Sequence, residues 1–240
     1  MLFVVGSGRC GTYSIAKAFK EMGYQSEHER WCTTTIQAGC WFATGRMSYT
    51  EARILLENIE WGQVEVDAKL SELVPVLADV FPDAKFLWVT RDPEQVEQSM
   101  ITRGWYRESD DFAPSVYYAG WKKLGERMVL FLNLNHAGHR VNAWEVTDLP
   151  PEDWRSATQQ IRCRWFIGWI TARLEATLPP DRTRKIAIDT ATVDELMGIA
   201  GWAFPDQPPL PLDAVPNVRL EEERFNEFTT RAAPRKDTVR

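Results

Sequence analysis

Three glycines, an arginine and a threonine crowd one short stretch of the 240-residue chain, Gly6-Ser7-Gly8-Arg9-Cys10-Gly11-Thr12. An apolar run, Leu2 to Val5, precedes it, and SIAKAFKEM follows with apolar positions 15, 16, 18, 19 and 22 at a helical period. A glycine-rich turn between a strand and a helix brings successive backbone N–H groups and a helix N-terminus onto one anion. Gly6, Gly8 and Gly11 permit the tight turn and the close backbone approach. Their spacing fits the nucleotide loop GxxxxGK[ST], but Thr12 stands where that pattern has Lys, and the basic residue is Arg9, inside the loop. Metal-dependent ATP or GTP hydrolysis uses that Lys, so the loop points toward a different phosphate-bearing ligand.

The elements that must position this loop alternate between strands and helices. Tyr24 to Glu29 is a polar extended segment, Ser48 to Ile59 a helix opened by the capping box Ser48/Glu51, and Gln63 to Ala68 a short alternating strand. Ser71 to Phe81 returns to helical spacing, and Lys85 to Thr90 (KFLWVT) is a second strongly apolar strand, followed by a helix that Pro93 opens. Beyond it the pattern predicts a long helix over 114–135, a strand over 140–146, a helix over 159–178, a strand over 185–189 and a helix over 193–203. The expected fold class is α/β, a three-layer P-loop-like fold with a central parallel β-sheet flanked by helices. One domain over 1–205 is expected, with a Pro-rich and charged tail over 206–240 packed on it or extending from it.

With those elements in place, the chain resembles the sulfotransferase family, whose first loop carries Lys or Arg, a small residue, Gly and Thr directly after the first strand. Arg9, Cys10, Gly11 and Thr12 match that run, with Tyr13 and Ser14 continuing into the helix. FPDAKFLWVTRDPEQVEQSM resembles the family's second signature, an Arg ending a strand and a Ser eight positions later: here Arg91 and Ser99. The resemblance implies that Gly8, Arg9, Cys10, Gly11, Thr12, Tyr13 and Ser14 cradle the 5′-phosphosulfate of 3′-phosphoadenosine 5′-phosphosulfate (PAPS). It further implies that Arg91 and Ser99 hold the 3′-phosphate, a guanidinium and a hydroxyl on one dianion. The product would be 3′-phosphoadenosine 5′-phosphate (PAP). A P-loop kinase of small molecules shares the first loop, and a non-catalytic PAP or nucleotide-binding protein would share both motifs.

Sulfuryl transfer needs a base for the acceptor hydroxyl and positive charge at the departing oxygen; Arg9 and the loop N–H groups answer the second need. The resemblance places a carboxylate or His base at the end of the second strand, here the extended segment Tyr24 to Glu29, where Glu27, His28 and Glu29 lie side by side. Alternation on an extended segment puts Glu27 and Glu29 on one face and His28 on the other, with Glu29 favoured as base, because Trp31 follows, and His28 next. Lys69, in Asp67-Ala-Lys69-Leu-Ser71, belongs either at the sulfuryl group or on the surface. The acceptor is expected to be a small molecule or glycan, a carbohydrate or glycolipid, met by loops 30–47 and 104–125 with Trp31, Trp41, Trp105, Tyr106, Tyr117, Tyr118 and Trp121 either over the cofactor or in the core. In the tail, Arg231, Arg235 and Lys236 could add charge near the 3′-phosphate.

Bulk composition narrows the partners. A net charge of −6 argues against a nucleic-acid binder, and 44% apolar with 26% charged residues is that of a folded globular chain. Four cysteines, at 10, 32, 40 and 163, show no zinc spacing and read as reduced thiols. No apolar run is long enough to span a bilayer, Leu2 to Val5 reads as a buried strand, and a cytoplasmic location is expected. No metal is implied.

Overall fold

The computed structural model describes residues 1–106, 118–124, 127–133 and 141–210. Five strands, β1 (Leu2–Val5), β2 (Ser26–His28), β3 (Val64–Val66), β4 (Lys85–Thr90) and β7 (Thr183–Ala187), form one sheet in the order β2-β3-β1-β4-β7. Every pairing in it is parallel. Helices α1 (Thr12–Glu21) and α9 (Val193–Ala203) pack on one face; α3 (Tyr49–Glu57), α4 (Val74–Val80), α5 (Pro93–Thr102) and α8 (Gln159–Thr177) pack on the other. The layering follows from the strand sequences. In β1 and β4, Leu2, Val4, Leu87 and Val89 pack with the first helix layer, while Phe3, Val5, Phe86 and Trp88 pack with the second. Strands covered on both faces read as unbroken apolar runs, which is why these two stood out. The expected three-layer α/β architecture with a central parallel sheet is the one observed.

Several elements differ from the sequence reading. The long helix expected over 114–135 is instead an antiparallel pair, β5 (Tyr118–Leu124) and β6 (Arg127–Asn133), in register from Tyr118↔Asn133 to Leu124↔Arg127. A continuous apolar run such as MVLFL satisfies a helical period and a strand equally, so length and pairing decide. The strand expected over 140–146 is the short helix α6 (Ala143–Val146), which Glu145 caps by accepting the Asn142 N–H at 2.8 Å. Segment 30–47, expected as a loop, contains α2 (Cys32–Ala43), and α7 (Pro151–Ser156) was likewise unexpected. A 3-10 turn, Ala68–Leu73, joins β3 to α4. Residues up to 210 fold back onto the connection between α1 and β2: Leu210 donates its N–H to Met22 O, and the Gln207 carbonyl accepts the Tyr24 hydroxyl. Tyr117, Arg231, Arg235 and Lys236 lie outside the described residues.

The parallel order sets where a ligand can sit. The chain leaves β1 toward β2 and β3 on one side and later places β4 and β7 on the other. The carboxyl end of β1 is therefore the switch point at which such sheets open a crevice.

Candidate active site at the carboxyl edge of the sheet

The segment Gly6–Gly11 sits in that crevice. Gly8 (φ 77°), Arg9 (φ 59°) and Gly11 (φ 87°) all adopt left-handed backbone, cheap for glycine and strained for Arg9. Its base is anchored through Ser71, wholly buried in the 3-10 turn, whose hydroxyl accepts the Gly6 N–H at 2.9 Å and donates to Gly6 O at 2.8 Å. A Cβ on Gly6 would lie 2.7 Å from Val89 O and 2.5 Å from Cys10 Sγ, so the close packing of the loop onto β4 requires glycine. Cys10 is buried under the loop, and burial pushes its thiol pKa up to about 11. Gly11 is the N-cap of α1, and no described side chain caps that end, which leaves the first N–H groups of the helix to an anion. Ser14 is half-buried in the first turn of α1.

Arg9 donates from Nε to Ser99 Oγ at 3.0 Å, which joins the two motifs across 90 residues of sequence. Burial lowers the Arg9 pKa, and the nearby guanidinium of Arg103 lowers it further; Glu29 opposes this and Arg91 adds to it. Three guanidinium groups therefore gather around the loop. Arg91 emerges past the end of β4, and its Nε donates to Gln95 Oε1 (3.0 Å) and Asp189 Oδ1 (3.1 Å).

On the other flank, β2 ends in His28, whose Nε2 lies 3.2 Å from Thr12 Oγ1 and 3.9 Å from Glu29 Oε1. Tyr13, exposed, meets the His28 ring edge-on at 5.5 Å. The expected pairing of Glu27 with Glu29 on one face does not occur. Glu29 takes left-handed backbone (φ 53°), which breaks the alternation and brings its carboxylate back toward His28. Glu27 instead pairs in register with Glu65. Burial lowers the His28 pKa; Glu29 opposes the shift and Arg9 reinforces it.

Lys69 is not a surface residue. It is buried, with Nζ 3.5 Å from Glu72 Oε1 and about equally near the rings of Phe166 (5.6 Å) and Trp105 (5.9 Å). Burial raises the pKa of Glu72, with Lys69 and then Arg173 opposing, so the Lys69 ammonium belongs to a buried charge cluster. Trp105 is the link to the loop, since its Cη2 would lie 3.0 Å from a Cβ on Gly8. Tyr106 is core, donating its hydroxyl to Val141 O.

The structure thus brings Arg9, Thr12, Tyr13, His28, Glu29, Arg91 and Ser99 to one edge and sets Lys69 behind Trp105. Sequence reasoning passed over two neighbours, Arg103 and Asp189, and named Asp67 only as a member of the patch Asp67 to Ser71. Asp67, at the end of β3, accepts the Thr35 hydroxyl (2.5 Å) and the Lys69 N–H (2.8 Å), and burial raises its pKa to about 7. Arg103 ends α5, and Asp189 follows β7. The signal available was positional, because each lies just beyond the carboxyl end of an element bordering the crevice.

A parallel sheet with a glycine-rich loop between its first strand and first helix, faced by a strand-end arginine, defines a P-loop-like α/β protein. Within that class the sulfotransferase-domain family model matches residues 1–209, and the chain belongs to the sulfotransferase family. A search of curated proteins found no match.

Proposed function

We propose that this chain moves a sulfuryl group from PAPS to a hydroxyl of an acceptor, a carbohydrate or glycolipid on the family resemblance. The observation that carries the reading is the Arg9–Ser99 hydrogen bond, which merges the loop and the strand-end motif into one basic site with Arg91 and Arg103 nearby. Such crowding of like charges on a chain of net charge −6 suits a ligand with several negative charges. When bound, PAPS supplies the activated sulfuryl group.

The chain's own residues divide the remaining work. Gly8 to Ser14 hold the 5′ side through loop and α1 N–H groups, and Arg91 with Ser99 holds the 3′-phosphate. Arg9 and the loop dipoles offset charge on the departing oxygen, where fixed donors act without reorganising. His28 takes the proton of the acceptor hydroxyl: with its pKa lowered, the imidazole is neutral near neutral pH. Glu29, beside it, stabilises the imidazolium that forms; it is the competing base if His28 serves only to orient.

Calorimetry with PAP in the presence of a chelator tests the donor site. Arg9→Ala and Arg91→Ala should each weaken PAP by more than about 2 kcal/mol, roughly thirtyfold. Unchanged affinity in both variants would refute the assignment. Magnesium-dependent ATP binding that displaces PAP would favour the kinase reading, and PAP binding without transfer to any acceptor from labelled PAPS would favour a non-catalytic protein.

A further inference from the structure

The stretch following β7 touches both halves of the proposed donor site. Ile188 extends the β4–β7 ladder by one bond, Ile188 N to Thr90 O at 2.9 Å, and its Cγ1 would lie 2.5 Å from a Cβ on Gly11. The next residue, Asp189, uses both carboxylate oxygens on the other motif. Oδ1 accepts from Arg91 Nε at 3.1 Å, and Oδ2 accepts the backbone N–H of Asp92 at 3.1 Å. Asp92 is in turn the N-cap of α5, accepting the N–H groups of Glu94 and Gln95 at 3.0 Å each. Gln95 closes the ring by accepting from the same Arg91 Nε.

A guanidinium is planar, so pinning its Nε edge between two acceptors fixes the plane in which the terminal nitrogens are presented. Asp189 is a third exposed and the Arg91 side chain 22% exposed, so the pair contributes little to folding through Coulomb attraction alone. Its effect is on direction. The acceptor on Arg91 is also tied to the backbone at the entrance of α5, the helix that carries Ser99. The orientation of the arginine and the placement of the serine hydroxyl are thereby set by one carboxylate.

We infer that Asp189 is a positioning residue, which aims Arg91 at the 3′-phosphate and so sets the preference of the site for a donor carrying that phosphate. The inference rests on the donor reading above. The carboxylate touches neither reacting atoms nor, on this account, the ligand.

The test compares PAP with adenosine 5′-phosphate, which lacks the 3′-phosphate, in the full chain. Asp189→Asn preserves shape and one acceptor but cannot accept at both positions. It should weaken PAP about tenfold, or about 1.4 kcal/mol, and change adenosine 5′-phosphate affinity less than about twofold. Gln95→Ala, at an exposed position, removes the second acceptor and should lower the same ratio in the same direction, about threefold. It keeps the inference testable if the Asp189 variant folds poorly. A purely structural role would shift both ligands in parallel, and a carboxylate that competes with the phosphate for Arg91 would give tighter PAP binding on substitution. Either result, or an unchanged ratio, overturns the inference. Failure of the unaltered chain to bind PAP at all overturns the donor reading instead, and this one with it.

Discussion

Replacing Asp67 with Asn should change the sign of its effect on stability with pH. The carboxyl is 5% exposed, and burial raises its pKa from 3.8 to about 7 against the pull of the Thr35 and Lys69 hydrogen bonds, with the charge of Glu29 adding to the rise. Between those two values the folded chain holds a proton that the unfolded chain has released. A group of this kind favours folding least when ionised, so its contribution falls as pH rises from the unfolded pKa through the folded one and is level beyond. The gap from 3.8 to about 7 amounts to about 4 kcal/mol in full, of which about 3 kcal/mol develops between about pH 4.5 and about pH 8. Asn never ionises, and its amide replaces one of two accepted hydrogen bonds at a cost of about 1 kcal/mol at any pH. The variant should therefore be less stable than the parent by about 1 kcal/mol or less in acid and more stable by about 2 kcal/mol in mild base. Urea unfolding of both proteins at each pH measures this. The other shifted groups, His28, Glu65 and Glu72, are common to both chains and cancel in the difference. A difference that stays constant with pH, or one that moves toward the parent as pH rises, refutes the reasoning.

Ser71→Ala leaves a buried Gly6 N–H without its acceptor and should cost about 1–3 kcal/mol by thermal or chemical unfolding, with weaker PAP binding as the loop loosens. Cys10, buried with its thiol pKa pushed up to about 11, should resist alkylation in the native protein near neutral pH and react only on unfolding, as read by peptide mass mapping. If His28 is the base, turnover should fall as pH drops through a pKa below 6.5, and His28→Gln should remove that limb, whereas Glu29→Gln should move it further toward acid.

What could be read from the sequence was whatever local chemistry dictates. Leu2–Val5 and Lys85–Thr90 are buried on both faces, and Gly6 and Pro93 punctuate their ends, so strand, loop and helix followed directly. The Ser48/Glu51 box marked α3 in the same way. Ambiguity entered where one pattern satisfies two periods, as in β6, or where a cap looks like alternation, as in Val141-Asn-Ala-Trp-Glu-Val146. The fate of the residues at the end of β2 was hidden for another reason: Glu29 turns to left-handed backbone just where its N–H makes a last bond to Val66 O, and no property of Glu announces it. Lys69 depended on the sequence-distant rings of Trp105 and Phe166, and Asp189 on Arg91, 98 residues away, which no local pattern encodes.

The loop between β1 and α1 precedes in sequence the distant residues that shape it. Ser71 holds its base, Val89 crowds its first glycine, Ser99 receives its arginine, Trp105 roofs it and Ile188 closes its far end. A partly made chain would thus carry the motif in its covalent structure while lacking the grip. On the proposed donor reading, ligand binding becomes available only after translation has passed β7 and the sheet has closed around β1, so it would report completion of the domain. It would serve as an assay for late folding, sensitive to a truncation before residue 188 that leaves the glycine loop itself untouched.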